Sequence, residues 1–124
     1  MDNNILINLK KDLSEIKDEV FAILIYGSYA TGDAHIRSDV DACVVLKNND
    51  KEGIKNIYRK ILRISAKNEK YDIRIFEQMP LFMKIQAIKK GNVVHAKNKS
   101  ELEEYFYFFI KLWQDQSVNW IEAR

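Results

Sequence analysis

The spacing of apolar residues predicts four long helices along the chain. Over residues 4–18, leucine and isoleucine recur every three or four positions among charged residues, which indicates an amphipathic helix. Similar apolar stripes predict helices over residues 50–68 and 81–90. A serine followed three positions later by a glutamate, at residues 100–103, predicts the start of a last helix that continues to about residue 120.

Four shorter segments have the patterns that are typical of strands. Residues 20–26 form a continuous apolar run, as in a buried strand, and residues 39–46 begin with acidic residues and continue as an apolar run. Residues 71–76 alternate between apolar and polar positions, and residues 92–96 suit a short edge strand. The order of these elements predicts an α/β (α+β) fold, with a small mixed sheet flanked by helices.

Composition narrows the class of protein. A chain of 124 residues predicts one domain over residues 1–124, and a net charge of +2 gives no reason to expect direct nucleic-acid binding. The segment 51–70 is rich in lysine and arginine, and a solvated helix surface is favoured there over a basic binding face. With one cysteine, no signal-like start and no long apolar run, we expect a cytoplasmic protein that makes no contact with membranes.

Three aspartates are predicted to gather at one edge of the sheet. Asp39 and Asp41 are two residues apart on a strand, so their side chains project from the same face. The strand–helix–strand crossover that follows favours parallel pairing, which places Asp72 beside them. Carboxylates so close together repel each other unless a hard cation such as Mg²⁺ lies between them. A purely structural interpretation is also open, in which Asp72 forms a salt bridge with Arg74.

A glycine–serine turn is predicted to lie next to these carboxylates. Gly27 and Ser28 follow the first strand, and the short connection to the second strand favours antiparallel pairing of the two. Gly27 would let a ligand approach the backbone closely, and a short helix after Ser28 would point its N–H groups at an anion. A phosphate chain held there and bridged to the aspartates by a metal ion would suit phosphoryl or nucleotidyl transfer.

These residues together resemble the minimal nucleotidyltransferase (MNT) family of the DNA polymerase β-like superfamily. The resemblance rests on Gly27-Ser28-x-Ala30-x-Gly32, on Ser38-Asp39-x-Asp41, and on a third aspartate in the next strand. It implies a polymerase β-like fold, Mg²⁺ as two ions, and ATP as the nucleotide donor. It also implies metal binding and catalysis by Asp39, Asp41 and Asp72, and nucleotide binding by Gly27, Ser28 and Ser38.

The function implied by the resemblance is that of an antitoxin. MNT proteins of this size are similar to antitoxins that transfer AMP to a tyrosine of a HEPN-type ribonuclease toxin. Two alternatives stay open: a nucleotidyltransferase with a small-molecule acceptor, and a non-catalytic module that neutralises its partner by contact. Thr31 stands where the family often has arginine, which removes a positive charge near the phosphates.

The last predicted helix carries aromatic residues around its whole circumference. Residues 105–113 hold six of the fourteen aromatic residues of the chain. Since a helix on a sheet buries one side only, we expect one face to meet the core and another to stay uncovered. The uncovered face is predicted to form a homodimer or toxin-binding interface, through Phe106, Phe109 and Trp113 or through Tyr105, Phe108 and Leu112.

Overall fold

The computed structural model describes residues 3–35, 37–48 and 50–122 and contains one mixed sheet with helices on both faces. The helices are α1 (Asn3–Leu13), α2 (Ser28–Thr31), α3 (Lys51–Ser65), α4 (Leu81–Lys90) and α5 (Lys99–Glu122). The strands are β1 (Ala22–Tyr26), β2 (Val40–Val45), β3 (Tyr71–Ile75) and β4 (Asn92–Ala96). Two 3₁₀ helices, Ser14–Glu19 and Phe76–Gln78, follow α1 and β3.

The sheet has the strand order β3-β2-β1-β4, with β3 and β4 at its edges. β1 pairs antiparallel with both β2 and β4, and β2 pairs parallel with β3 across the α3 crossover. The predicted mixed sheet, the parallel crossover and the short edge strand at residues 92–96 are therefore confirmed.

Each face of the sheet covers its own apolar core. On one face α1 and α3 pack on β-branched side chains that include Ile23, Val44 and Ile73. On the other face α4 and α5 pack on a second cluster centred on Phe76, whose ring is fully buried. Sheet alternation explains the division, because successive residues of each strand point to opposite faces.

Several element boundaries differ from those predicted. The first helix ends at Leu13, and Ile16 continues its buried stripe from a 3₁₀ turn. Phe76 was predicted to end a strand, yet it begins a 3₁₀ helix that carries its ring into the second core. Asp50 caps α3 by accepting a hydrogen bond from the Gly53 N–H at 2.7 Å, which satisfies one of the unpaired N–H groups of the first turn.

The aromatic residues of α5 divide between core and surface. Phe106 is buried against Phe76, with 5.4 Å between ring centroids, and Phe109 meets the same ring edge-on at 5.3 Å. Tyr107 and Phe108 are 61% and 59% exposed. The expected uncovered face therefore exists, but its composition differs from both predicted sets, because Phe106 belongs to the core and Tyr107 to the surface.

None of the helices described here combines the length and the apolar character that crossing a membrane requires.

Candidate active site

The turn after β1 is built around Gly27. Its φ of +73° and ψ of −154° lie in a region that only glycine adopts without strain. The Gly27 carbonyl accepts hydrogen bonds from the N–H groups of Ala30 at 3.0 Å and Thr31 at 3.3 Å, and so starts α2 directly after the strand. The first N–H groups of this helix have no acceptors within it. The helix begins two residues after Tyr26, which is in register with Asp41 of β2.

The three aspartates predicted from the sequence lie together at this edge. Asp41 of β2 is paired in register with Tyr26 of β1 on one side and with Asp72 of β3 on the other. Residues paired in this way present their side chains on the same face of the sheet. Asp39 lies just before β2, two residues from Asp41 and therefore on the same side. Gly27 and Ser28 border the group from β1, as the antiparallel connection predicted.

Gly27 and Asp41 are also in direct contact. A Cβ atom at position 27 would overlap the Asp41 Oδ2 atom and lie 3.2 Å from its Cγ. The carboxylate thus occupies the space that any other residue at position 27 would fill. Glycine is required here by its backbone angles and by this contact alike.

The surroundings of Asp41 disfavour its charged form. The pKa of this carboxyl is raised to about 6, first by burial, and then by the negative charges of Asp72 and Asp39 and a hydrogen bond with Asp72. The Arg74 guanidinium acts in the opposite sense. Clustered carboxylates with a raised pKa are typical of a cation-binding site, since a bound cation would offset the repulsion between the ionised groups.

The three aspartates suit a hard divalent cation chemically, but their carboxylates do not converge on one point. All three are carboxylates, the oxygen ligands that Mg²⁺ prefers, and they share one face. Asp72, however, accepts a hydrogen bond from the Arg74 Nε at 3.2 Å. Among residues 3–35, 37–48 and 50–122, no three aspartate, glutamate, histidine or cysteine side chains converge closely enough to hold a metal ion. The group fits Mg²⁺ by chemistry and placement, provided that Asp72 leaves Arg74.

Two predicted nucleotide-binding residues border the connection between β1 and β2. Ser28 is half-buried at the start of α2, and its carbonyl accepts a hydrogen bond from the Asp33 N–H at 3.0 Å. The Ser38 Oγ accepts from the His35 N–H at 3.0 Å, which folds the loop just before Asp39. The Thr31 hydroxyl donates to Asp33 at 2.9 Å, so it is engaged within the turn.

Tyr26 is a residue of this site that the sequence analysis did not single out. Its hydroxyl is buried and has no hydrogen-bond partner among the residues that the structure describes. Burial and the nearby negative charges, first that of Asp41, raise its pKa well above the ordinary range. The sequence places Tyr26 at the end of the first strand, next to Gly27. Only the pairing of Tyr26 with Asp41 shows that it belongs to the site.

Comparison with known proteins agrees with this geometry. Residues 7–100 match the family model described as "Polymerase beta, Nucleotidyltransferase". A protein of Methanocaldococcus jannaschii that is named as a protein adenylyltransferase is 43% identical over 98 residues, which are 78% of this chain and 72% of that protein.

Two solved structures have the same fold at low sequence identity. A chain from a toxin–antitoxin structure with AMP-PNP superposes with a TM-score of 0.71 at 16% identity, over 96% of this chain and 92% of that one. A chain from the structure of a tri-AMPylated Shewanella oneidensis HEPN toxin in complex with an MNT antitoxin gives 0.66 at 14% identity, over 92% and 90%.

Proposed function

Because the chain belongs to the polymerase β nucleotidyltransferase family, we propose that it transfers AMP from ATP to a hydroxyl of a partner protein in the cytoplasm, with Mg²⁺ as its cofactor. The observation that carries this proposal is the register that pairs Asp41 with Asp72 beside the Gly27 turn. The turn that we propose to bind phosphate and a group of carboxylates thereby lie at one edge of the sheet.

The residues of the site divide into two roles under this proposal. Gly27, Ser28 and Ser38 border the phosphates of ATP, where the backbone N–H groups at the start of α2 favour negative charge. Asp39, Asp41 and Asp72 hold the metal, which when bound neutralises the carboxylates and the phosphate oxygens. The raised pKa of Asp41 supports this role, since a cation would relieve the repulsion that causes part of the shift.

The transfer is a substitution at phosphorus. The acceptor hydroxyl oxygen forms a bond with the α-phosphorus of ATP, and the bond from that phosphorus to the bridging oxygen of pyrophosphate breaks. The hydroxyl proton passes to Asp72, the carboxylate at the outer side of the group, and from there to solvent. Asp72 is half-exposed, which leaves it accessible to an acceptor once Arg74 moves away.

The acceptor we propose is a tyrosine of a HEPN-type toxin, which makes this chain an antitoxin. The support is the fold shared with a chain from the AMPylated HEPN toxin–MNT antitoxin structure and the adenylyltransferase name of the M. jannaschii relative. The exposed face of α5, formed by Tyr107, Phe108 and Leu112, is the proposed contact with this partner or with a second copy of the chain.

Incubation with ATP radiolabelled at the α-phosphate, Mg²⁺ and a HEPN-type toxin as acceptor tests the proposed reaction. We expect label on that protein, and a reduction to below about one hundredth for Asp39→Asn combined with Asp41→Asn. Asp18→Asn, an exposed carboxylate far from the site in sequence, is the control that should keep full transfer. Absence of label, together with inhibition of the toxin by the double variant, would instead support neutralisation by contact.

The α5 surface is tested separately by sedimentation of mixtures. Phe108→Glu should leave the isolated chain folded, because its ring is 59% exposed, and should weaken the complex with the toxin or the homodimer. If Phe108→Glu changes neither the binding of the toxin nor the self-association of the isolated chain, the exposed aromatic residues bind neither partner.

A further inference from the structure

A groove runs along the open edge of β3, next to the carboxylates. One part of it, about 190 Å³ in volume, lies between Tyr58 and Ile61 of α3 and Arg74, Gln78 and Met79. A second part of about 420 Å³ adjoins it through Tyr58 and Gln78 and extends along α3. We call the two parts together the edge groove. None of its lining belongs to the Gly27 turn or to the α5 surface.

The groove lies along β3, the outermost strand of the sheet. Ile73, Arg74 and Ile75 all line it, although the side chains of consecutive residues in a strand point to opposite faces. Both isoleucine side chains are buried in the core under α3, and β3 is the outermost strand of the sheet, so no other strand covers its main chain at this edge.

The hydrogen-bond ladder leaves main-chain groups directed into this groove. The Lys70 carbonyl accepts from the Val40 N–H at 2.9 Å, and Val40 is in register with Tyr71. In a parallel ladder, residues 70, 72 and 74 therefore bond to β2, while the N–H and C=O groups of Ile73 and the N–H group of Ile75 point away from the sheet. The Ile75 C=O instead begins the 3₁₀ helix Phe76–Gln78. An exposed edge of this kind pairs readily with an added strand.

The position of the β3 edge suits the acceptor substrate rather than the nucleotide donor. The Gly27 turn, where the phosphates of the donor are proposed to lie, is on β1, and Asp72 is two strands away on β3. A strand added to β3 would place one of its residues level with Asp72, with its side chain on the carboxylate face. That residue would approach from the side opposite the donor turn, as the acceptor of an in-line substitution must.

Charge in the groove selects the residues that flank the acceptor. Lys55 and Arg59 line its outer part, and Arg74 lines its inner part while bound to Asp72 at 3.2 Å. A carboxylate on the added strand, two residues from the hydroxyl, would lie level with Arg74 on the same face. It would pair with Arg74 and so release Asp72 to the reacting groups.

We propose that the edge groove binds the acceptor protein as an extended strand, in which the modified hydroxyl residue lies level with Asp72 and a carboxylate two positions away pairs with Arg74. This inference deepens the function proposed above and rests on it for the identity of the bound segment as the acceptor.

Fluorescence anisotropy with two labelled nine-residue peptides tests the groove. Both have a central tyrosine and β-branched neighbours; one has glutamates two positions to either side, and the other has lysines there. We expect the glutamate peptide to bind the full chain at least about tenfold more tightly. Tyr58→Ala and Arg59→Glu should each weaken it about tenfold. Arg63→Glu should change it less than about twofold, because Arg63 lies one turn along α3 and lines another pocket with Glu15 and Glu19.

The binding measurement needs no nucleotide, so it separates this inference from the proposed reaction. Selective binding without transfer of AMP would support the groove and refute the reaction. Equal affinity for the two peptides, or full transfer to the toxin by Tyr58→Ala and Arg59→Glu, would overturn the groove and leave the reaction standing. A concentration-dependent dimer of the isolated chain that Arg59→Glu dissociates would also overturn it, because a second copy would then occupy the edge.

Discussion

The α-carbon of Gly27 packs against the carboxylate of Asp41, so that a Cβ at position 27 would overlap Asp41 Oδ2. This contact joins the turn that ends β1 to the strand that carries Asp41. The phosphate-binding and carboxylate parts of the proposed site are therefore held at a fixed separation by direct packing. A substitution at Gly27 is therefore expected to displace the Asp41 carboxylate, and a substitution at Asp41 to alter the packing of the turn.

Gly27→Ala should lower the free energy of unfolding by about 2 to 4 kcal/mol, since it adds a steric overlap to an unfavourable backbone conformation. Chemical denaturation measures the loss. Gly32→Ala is the matched control: its φ is +83°, but no atom lies within 4 Å of the added Cβ, so it should cost only about 1 to 2 kcal/mol. In an Asp41→Ala background the cost of Gly27→Ala should fall by at least about 1 kcal/mol; an unchanged cost would contradict the contact.

The stability of the metal-free protein should decrease as the pH rises through about 6. The folded-state pKa of Asp41 lies above its ordinary value of 3.8, so ionisation of this group favours the unfolded chain. The destabilisation is absent below pH 4 and complete above pH 7. Asp41→Asn should therefore raise the free energy of unfolding at pH 8 by about 1 kcal/mol, after allowance for solvent screening, and leave it nearly unchanged at pH 4. Thermal unfolding in EDTA at both pH values measures this, with Asp18→Asn as control.

Tyr26→Phe should stabilise the chain by up to about 1 kcal/mol, because it removes a buried hydroxyl that has no hydrogen-bond partner among the described residues. Tyr71→Phe provides the contrast, since the Tyr71 hydroxyl donates to Asp12 at 2.9 Å and its removal should cost about 1 kcal/mol. Urea denaturation of the two variants compares them. A loss of stability in Tyr26→Phe would mean that this hydroxyl is hydrogen-bonded in solution.

Glu77 should be a major contributor to stability, because its carboxylate connects three parts of the fold. It accepts hydrogen bonds from the N–H groups of Leu46 at 3.0 Å and Lys47 at 3.1 Å, and from the Tyr105 hydroxyl at 2.7 Å. Glu77→Ala should cost about 3 kcal/mol and Tyr105→Phe about 1 kcal/mol. In the double variant the Tyr105 change should cost almost nothing more; full additivity in denaturation experiments would show that the two groups do not interact.

The sequence was sufficient to predict the sheet and the meeting of the aspartates. The parallel pairing of β2 and β3 follows from the long helical crossover between them, and it brings Asp72 level with Asp41 without knowledge of any side-chain contact. The Gly27 turn follows equally from its position at the end of an apolar run. These inferences depend on periodicity and connection length, which local sequence determines.

Side-chain partners were harder to predict, because they depend on packing between distant elements. The salt bridge of Asp72 with Arg74 was foreseen only as an alternative, and the unpaired Tyr26 hydroxyl was not foreseen. The aromatic run in α5 indicated an uncovered face, but the position of Phe76 decides which rings are buried. That position results from the 3₁₀ helix after β3, where the alternating pattern predicted strand.

Cys43 lies two residues beyond Asp41 in β2, and its side chain is fully buried in the core around Phe76. Burial raises the pKa of its thiol to about 12, so it is protonated at neutral pH and shielded from oxidants and alkylating reagents. As it is the single cysteine of the sequence, the folded chain has no reactive thiol. Thiol reagents can therefore modify this protein only when the centre of the sheet unfolds. The rate at which Cys43 is modified would consequently report the rate of that unfolding.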